Sequence, residues 1–80
     1  MSMIRVKFYG IMKPYMPSVE EDGYWHLEKE GLTIGQILDE TGASEKEVGV
    51  TILVNRVRKT KDFVPKDGDI VTVMPLVTGG

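Results

Sequence analysis

The chain has 80 residues, 41% of them hydrophobic and 28% charged, with a formal net charge of −2. That length makes one domain, which buries only roughly 60–65% of the surface its unfolded chain exposes. The charge balance gives no general attraction to nucleic acid or an anionic membrane, no apolar run approaches the ~20 residues of a membrane span, and the absence of cysteine excludes disulfides, thiolate metal sites and a cysteine nucleophile.

Met1 to Arg5 lacks the apolar stretch of a signal peptide, so a reducing cytoplasm is the expected location. From Met3 to Tyr9 the residues alternate, with Ile4, Val6 and Phe8 facing a core and Arg5, Lys7 and Tyr9 outside, the period of a half-buried strand. Gly10 ends it. Ile11 to Ser18 carries two prolines and reads as a loop or a loop with one helical turn, whose Ile11, Met12, Tyr15 and Met16 fill gaps against the core or, as the alternative, form a partner surface. Glu20 to Gly23 reads as a turn. Tyr24 to Lys29 is a second strand, with Trp25 and Leu27 on one face and Tyr24, His26 and Glu28 on the other.

Thr33 with Gln36 has the spacing of a capping box, and Ile34, Ile37 and Leu38 lie on one face of the helix that follows, with Thr41 continuing the row. Gly42 is placed to stop that helix in a left-handed conformation, and Gly35 within it implies close packing on the sheet. Ala43 to Gly49 is a polar connection or a further helical turn. Val50 to Val54 is a third strand, Asn55-Arg56 a tight turn, and Val57 to Lys59 a short, charged edge strand. Thr60 to Lys66 is a loop anchored by Phe63 and Val64. Pro65 to Asp69 is a strong turn signal, and Ile70 to Met74 is the last strand, expected to pair with the first.

One helix on one face of a four- or five-stranded mixed sheet would bury Ile4, Val6, Phe8, Leu27, Ile34, Ile37, Leu38, Ile52, Val54, Val71 and Val73. If the second and third strands are parallel neighbours, the crossover through the helix is right-handed. This α+β pattern is the β-grasp, ubiquitin-like arrangement, over residues 1–76, with residues 77–80 as a tail. The fold hosts many functions and settles none.

The tail, Pro75-Leu76-Val77-Thr78-Gly79-Gly80, closes on two glycines. Ordering such an end costs entropy and gains no burial. It is either a frayed terminus or the functional group itself, with the carboxylate of Gly80 presented by the domain. Ile52-Leu53-Val54-Asn55 with Val57, then Asp67-Gly68-Asp69-Ile70-Val71, then Pro75 to Gly80, together resemble the MoaD/ThiS sulfur-carrier family, and within it the small subunit of molybdopterin synthase most. The likeness covers roughly Val50 to Gly80. Lys13-Pro14-Tyr15-Met16-Pro17 stands where that branch often carries an arginine-containing short helix. An accessory carrier in tungsten-cofactor or thiamine-like metabolism, or a relative of the small archaeal modifier proteins, shares the same features.

The resemblance implies a protein cosubstrate and not an enzyme. A ubiquitin-activating-like adenylyltransferase, using ATP and magnesium, would adenylate Gly80; a sulfur donor would convert it to a thiocarboxylate; an acceptor enzyme such as a synthase large subunit would take the sulfur. No cofactor or metal is expected on the chain, and it is expected to be a monomer when free. Thr78 and Gly79 would thread a narrow channel, and Thr78 to Gly80 reach about 10 Å when extended. Met74, Leu76 and Val77 would meet the partner, Met74 and Leu76 from the open face of the sheet. The alternatives are a modifier joined to lysines through Gly80, or a small RNA- or protein-binding module. The basic run Arg56, Arg58, Lys59 and Lys61 reads as a solvated hairpin or a surface for an acidic partner. His26 is read as structural, and Glu20, Glu21 and Asp22 as loop carboxylates without acid–base spacing. No phosphate-binding loop is present, so any ATP belongs to the partner.

Overall fold

The computed structural model describes residues 3–42 and 50–75. Alternation of β-branched and aromatic residues with polar ones produces five strands: β1 (Ile4–Phe8), β2 (Trp25–Leu27), β3 (Val50–Val54), β4 (Val57–Lys59) and β5 (Ile70–Pro75). They form one sheet in the order β2-β1-β5-β3-β4. β1 and β5 run parallel, and the remaining neighbours are antiparallel. The helix α1 (Ile34–Thr41) buries Ile34, Ile37 and Leu38. The expected mixed sheet with one helix is therefore the observed β-grasp fold. β2 and β3 are separated by β1 and β5, so they do not form the parallel neighbours on which the right-handed crossover was conditioned.

The register sorts the two faces. Val6 lies beside Trp25 and Val71, Val71 beside Val54, and Phe8 beside Val73, which lies beside Ile52. All of these are buried, as is every residue of the expected core, joined by Met12 and Trp25. The intervening positions, Arg5, Lys7, Leu53, Thr72 and Met74, fall on the opposite face by the period of two.

Local chemistry matches the ends of α1. The Thr33 hydroxyl accepts from the Gln36 backbone N–H at 3.1 Å, and the Gln36 side chain accepts from the Thr33 N–H at 2.8 Å. Gly42 stops the helix at φ 81°. The first helical N–H groups are covered by the loop before β5: Ile34 donates to the Phe63 carbonyl at 2.9 Å and Gly35 to that of Lys61 at 3.0 Å.

Several sequence expectations change. Gly35 closely approaches Lys61 of that loop, where an added Cβ would lie 3.5 Å from the Lys61 Cβ; it does not pack on the sheet. The loop is anchored by Phe63 and the buried Pro65, while Val64 is exposed, because successive extended residues face opposite ways. The second strand is shorter than Tyr24–Lys29. Gly10–Tyr15 forms a 3-10 helix, which buries Met12 and lays Tyr15 and Met16 against the core but leaves Ile11 62% exposed. The expectation for Ala43 to Gly49 lies outside the described residues.

Met12 is the only residue of the 3-10 helix that is buried, so it fastens that segment to the core. Met12→Ala is expected to lower the unfolding free energy by about 2–4 kcal/mol, measured by urea denaturation. An unchanged midpoint would mean the segment is not held by its methionine.

Candidate functional site

β5 carries the chain from the middle of the sheet towards the tail. Its last residue, Pro75, lies beside Val50 of β3 on one side. On the other stands the start of the 3-10 helix: the Tyr9 N–H donates to the Val73 carbonyl at 2.9 Å, and Gly10, at φ 58°, lies so close that a Cβ there would come within 3.2 Å of the Pro75 Cγ. Glycine is favoured at residue 10 both by the positive φ and by this approach.

The face of the sheet away from α1 holds a shallow depression of about 570 Å³. Leu53, Ile70, Thr72 and Met74 form its floor, with Tyr9, Tyr24, Asn55 and Arg56 around them. The Lys7 ammonium sits 5.3 Å from the centroids of both tyrosine rings, within range of a cation–π attraction. At one edge Asp22 joins three groups. Its carboxylate lies 2.8 Å from His26 Nε2, accepts from the Tyr24 N–H at 3.0 Å, and approaches Arg5 Nε at 3.4 Å. The His26 hydrogen bond is the largest of the causes that hold the Asp22 carboxyl below its ordinary 3.8; the Tyr24 N–H comes next, and the charges of His26 and Arg5 add to them.

A hydrogen-bonded lock joins the β3–β4 turn to the start of β5. The Asn55 amide donates to Asp69 Oδ1 at 2.9 Å and its carbonyl accepts from the Ile70 N–H at 3.0 Å, while the Asn55 N–H donates to the Ile70 carbonyl at 2.9 Å. Asp69 also accepts from the Lys66 N–H at 2.8 Å. Asp67 accepts from the Met3 N–H at 2.7 Å, and the Gly68 N–H donates back to the Met3 carbonyl at 2.9 Å.

These are the segments through which the sequence aligns with a family. The ThiS family profile matches residues 14–80, from the 3-10 helix through Gly79 and Gly80. The chain belongs to the ThiS family. A search of curated proteins finds no match. Among solved structures, SAMP1 from Haloferax volcanii is similar with a TM-score of 0.68 at 18% identity, covering 99% of this chain and 100% of that one. The Haloferax volcanii HVO 2177 protein gives 0.67 at 20% identity, covering 99% of this chain and 87% of that one. Urm1 from Trypanosoma brucei gives 0.54 at 19% identity, with 99% and 96% covered. These likenesses establish the ubiquitin-like fold, and the family match makes this a small protein of the sulfur-carrier, ubiquitin-like kind.

Of the site residues read from the sequence, Met74 lies on the open face, half-buried, in the floor of the depression of this ThiS-family chain. Leu76, Val77, Thr78, Gly79 and Gly80 lie outside the described residues. The basic run separates into two faces: Arg58 stands opposite Leu53 and so shares the open face, whereas Lys59 stands opposite Ile52, with its ammonium 4.9 Å from the Phe63 ring. Sequence reasoning did not find the depression, although the outward-facing positions of each strand already contained Tyr9, Tyr24, Leu53 and Thr72. Among the described residues no group of three or more His, Asp or Glu side chains could hold a metal ion, and no helix is long and apolar enough to cross a membrane.

Two expectations follow from the polar contacts. Asn55→Ala removes two side-chain hydrogen bonds and places a Cβ-bearing residue without a polar side chain at φ 52°. A loss of roughly 1–3 kcal/mol is expected in chemical denaturation; a wild-type midpoint would show that the lock does not hold β5. The folded-state pKa of Asp22 is depressed, so the stability it contributes is present above 3.8 and lost as pH falls through the lower folded value. Below about pH 4 the wild-type chain should therefore lose stability more steeply than Asp22→Asn, and an NMR titration of the Asp22 carboxyl should show its midpoint under 3.8.

Proposed function

We propose that this chain is a sulfur carrier whose working group is the carboxyl of Gly80. Residues 1–76 form the handle and residues 77–80 the tail. A free carboxylate, with a pKa of about 3.5, is a poor acyl electrophile and must be activated before it accepts sulfur. A separate ubiquitin-activating-like adenylyltransferase supplies ATP and magnesium. An oxygen of the Gly80 carboxylate attacks the α-phosphorus of ATP and pyrophosphate leaves. Hydrosulfide then attacks the acyl carbon and AMP departs, giving the thiocarboxylate; where the donor is an enzyme persulfide, an acyl disulfide forms first and a thiol cleaves it.

The observation that carries this reading is the family match running through Gly79 and Gly80, immediately after a strand held at the centre of the sheet. Covalent geometry limits residues 76–80 to a reach of about 17 Å beyond Pro75. That length passes from a docked domain to a buried reaction centre, and glycine at 79 and 80 fits a channel too narrow for a Cβ. Thr78 and Gly79 line up in that channel, while Met74, Leu76 and Val77 meet the partner around its mouth. The sulfur then passes to a cofactor precursor, of the molybdopterin, tungsten-cofactor or thiamine kind, held in an acceptor enzyme such as a synthase large subunit. The chemistry takes place in the cytoplasm, and the chain is monomeric between partners.

Incubation with the adenylyltransferase of the same organism, ATP and magnesium should release pyrophosphate in an amount stoichiometric with the chain. One residue appended after Gly80 should abolish that release without changing thermal unfolding. Intact mass spectrometry of the protein from its own cells should show a species heavier by about 16 mass units, oxygen replaced by sulfur at a chain ending in Gly80. Activation that survives the appended residue sinks the proposal. Larger conjugates in place of the thiocarboxylate would assign the same activated acyl group to lysine modification.

A further inference from the structure

Arg56 stands where turn chemistry asks for glycine. The turn between β3 and β4 has φ 52° at Asn55 and 71° at Arg56. Positive φ at both central positions is the type I′ arrangement, which Asn-Gly fills without strain. Asparagine tolerates this region; arginine enters it with its Cβ crowded against the following carbonyl. Among the described residues Arg56 forms no ion pair that would offset this. Backbone strain held at a surface position of this kind points to a use for the side chain.

That side chain borders the open-face depression, at the end of its floor nearest Ile70. Cations outnumber the carboxylates around it, which are Asp22 and the Asp69 bound to Asn55. Lys7 and Arg58 reach the same face through the strand register, and Arg5 and His26 there are engaged with Asp22. The helix carboxylates Asp39 and Glu40 belong to the element covering the opposite face. A chain of net charge −2 thus gathers Lys7, Arg56 and Arg58 on the face that holds a largely apolar floor.

We infer that Arg56, seconded by Lys7, is a specificity contact for a protein partner: its guanidinium receives a carboxylate at the edge of an apolar partner surface that covers Leu53 and Met74. Charge complementarity selects the acidic rim, and the aliphatic floor selects a protein surface over a nucleic-acid base, because the two tyrosine rings are already engaged by Lys7. The partner is taken to be the activating enzyme of the preceding section, so its identity, though not the strain at residue 56, rests on the carrier reading.

The test is Arg56→Gly, which relieves the turn while deleting the charge. Its thermal midpoint should equal or exceed that of wild type. In the pyrophosphate-release assay its KM should rise roughly three- to fivefold, the size of one exposed ion pair, with kcat unchanged. Wild-type KM should rise with added salt, and that dependence should weaken in the variant. Arg56→Lys should restore most of the effect and Arg56→Glu should raise KM further than Arg56→Gly. A KM for Arg56→Gly within twofold of wild type, with the same salt dependence, overturns the inference while leaving the carrier reading intact. Failure of the wild-type chain to be activated at all sinks the carrier reading instead; titration of the same enzyme by fluorescence anisotropy then still decides whether Arg56→Gly binds more weakly, and equal binding or none overturns the inference. Salt-sensitive binding of a single-stranded RNA oligonucleotide that Arg56→Gly loses, with KM unmoved, overturns it in favour of a nucleic-acid face.

Discussion

The parallel pairing of β1 with β5 brings the first and last described strands together at the middle of the sheet, and the other arrangements in the molecule depend on it. Arg5 lies beside Ile70 across nearly the whole sequence, so this pairing has to overcome the largest loop-closure entropy in the chain. The contacts at its start suit that demand. Met3 exchanges hydrogen bonds with the Asp67-Gly68 turn, and the Arg5 N–H donates to the Asp69 carbonyl at 3.1 Å, so the pair is clasped at one end before Val6, Phe8, Val71 and Val73 pack against α1. Parallel strands cannot be joined by a tight turn, so the clasp has to come from side chains and loop backbone.

Once β5 is fixed, its alternation decides what each face can do. A slip of one residue would carry Val71 and Val73 outward and drive Ile70, Thr72 and Met74 into the core. The Asn55–Asp69 lock opposes such a slip, because it ties the β3–β4 turn to the first residue of β5 through both the side chain and the backbone of Asn55. Asn55 and the Asp-Gly-Asp segment read in the sequence as two separate turns and as marks of the family resemblance, with no link between them. The structure gives them one: they hold the strand that leads to the tail. Pro75 then ends the strand with a residue that has no N–H to donate to the ladder.

The element boundaries were legible wherever one local rule acted alone. The capping box at Thr33 and Gln36, the left-handed Gly42 and the period-two strands are cases where backbone chemistry and burial agree. The 3-10 helix was only partly legible, as one helical turn within a loop, since two prolines argue for a loop and tertiary packing of Met12 extends the helical stretch. Val64 and Pro65 exchange roles for the same reason: hydrophobicity ranks valine as the anchor, but the phase of an extended loop is set by where Phe63 docks. The open face was half legible. Met74 could be assigned outward from its strand period, whereas the depression it shares with Tyr9, Tyr24 and Arg56 draws on strands far apart in sequence and exists only once the strand order is known. The basic run is the solvated hairpin its sequence suggested, with Arg56 and Arg58 exposed, and its charges divide between two faces because a strand alternates.

Arg56 and Gly10 make a useful opposition. Both have positive φ, and both sit in turns beside β5 or its neighbours. At Gly10 a Cβ would crowd Pro75 at 3.2 Å from a backbone of positive φ, so the fold favours glycine. At Arg56 the fold would accept glycine, and the side chain present points to the face where charge and apolar surface are combined. Where a backbone position and its residue agree, as at Gly10, Gly42 and Gly68, stability is enough to explain the choice. Where they disagree, as at Arg56, something other than stability has to hold the side chain there, and that disagreement, together with the cations and apolar floor of the open face, sets Arg56 apart from an ordinary exposed arginine.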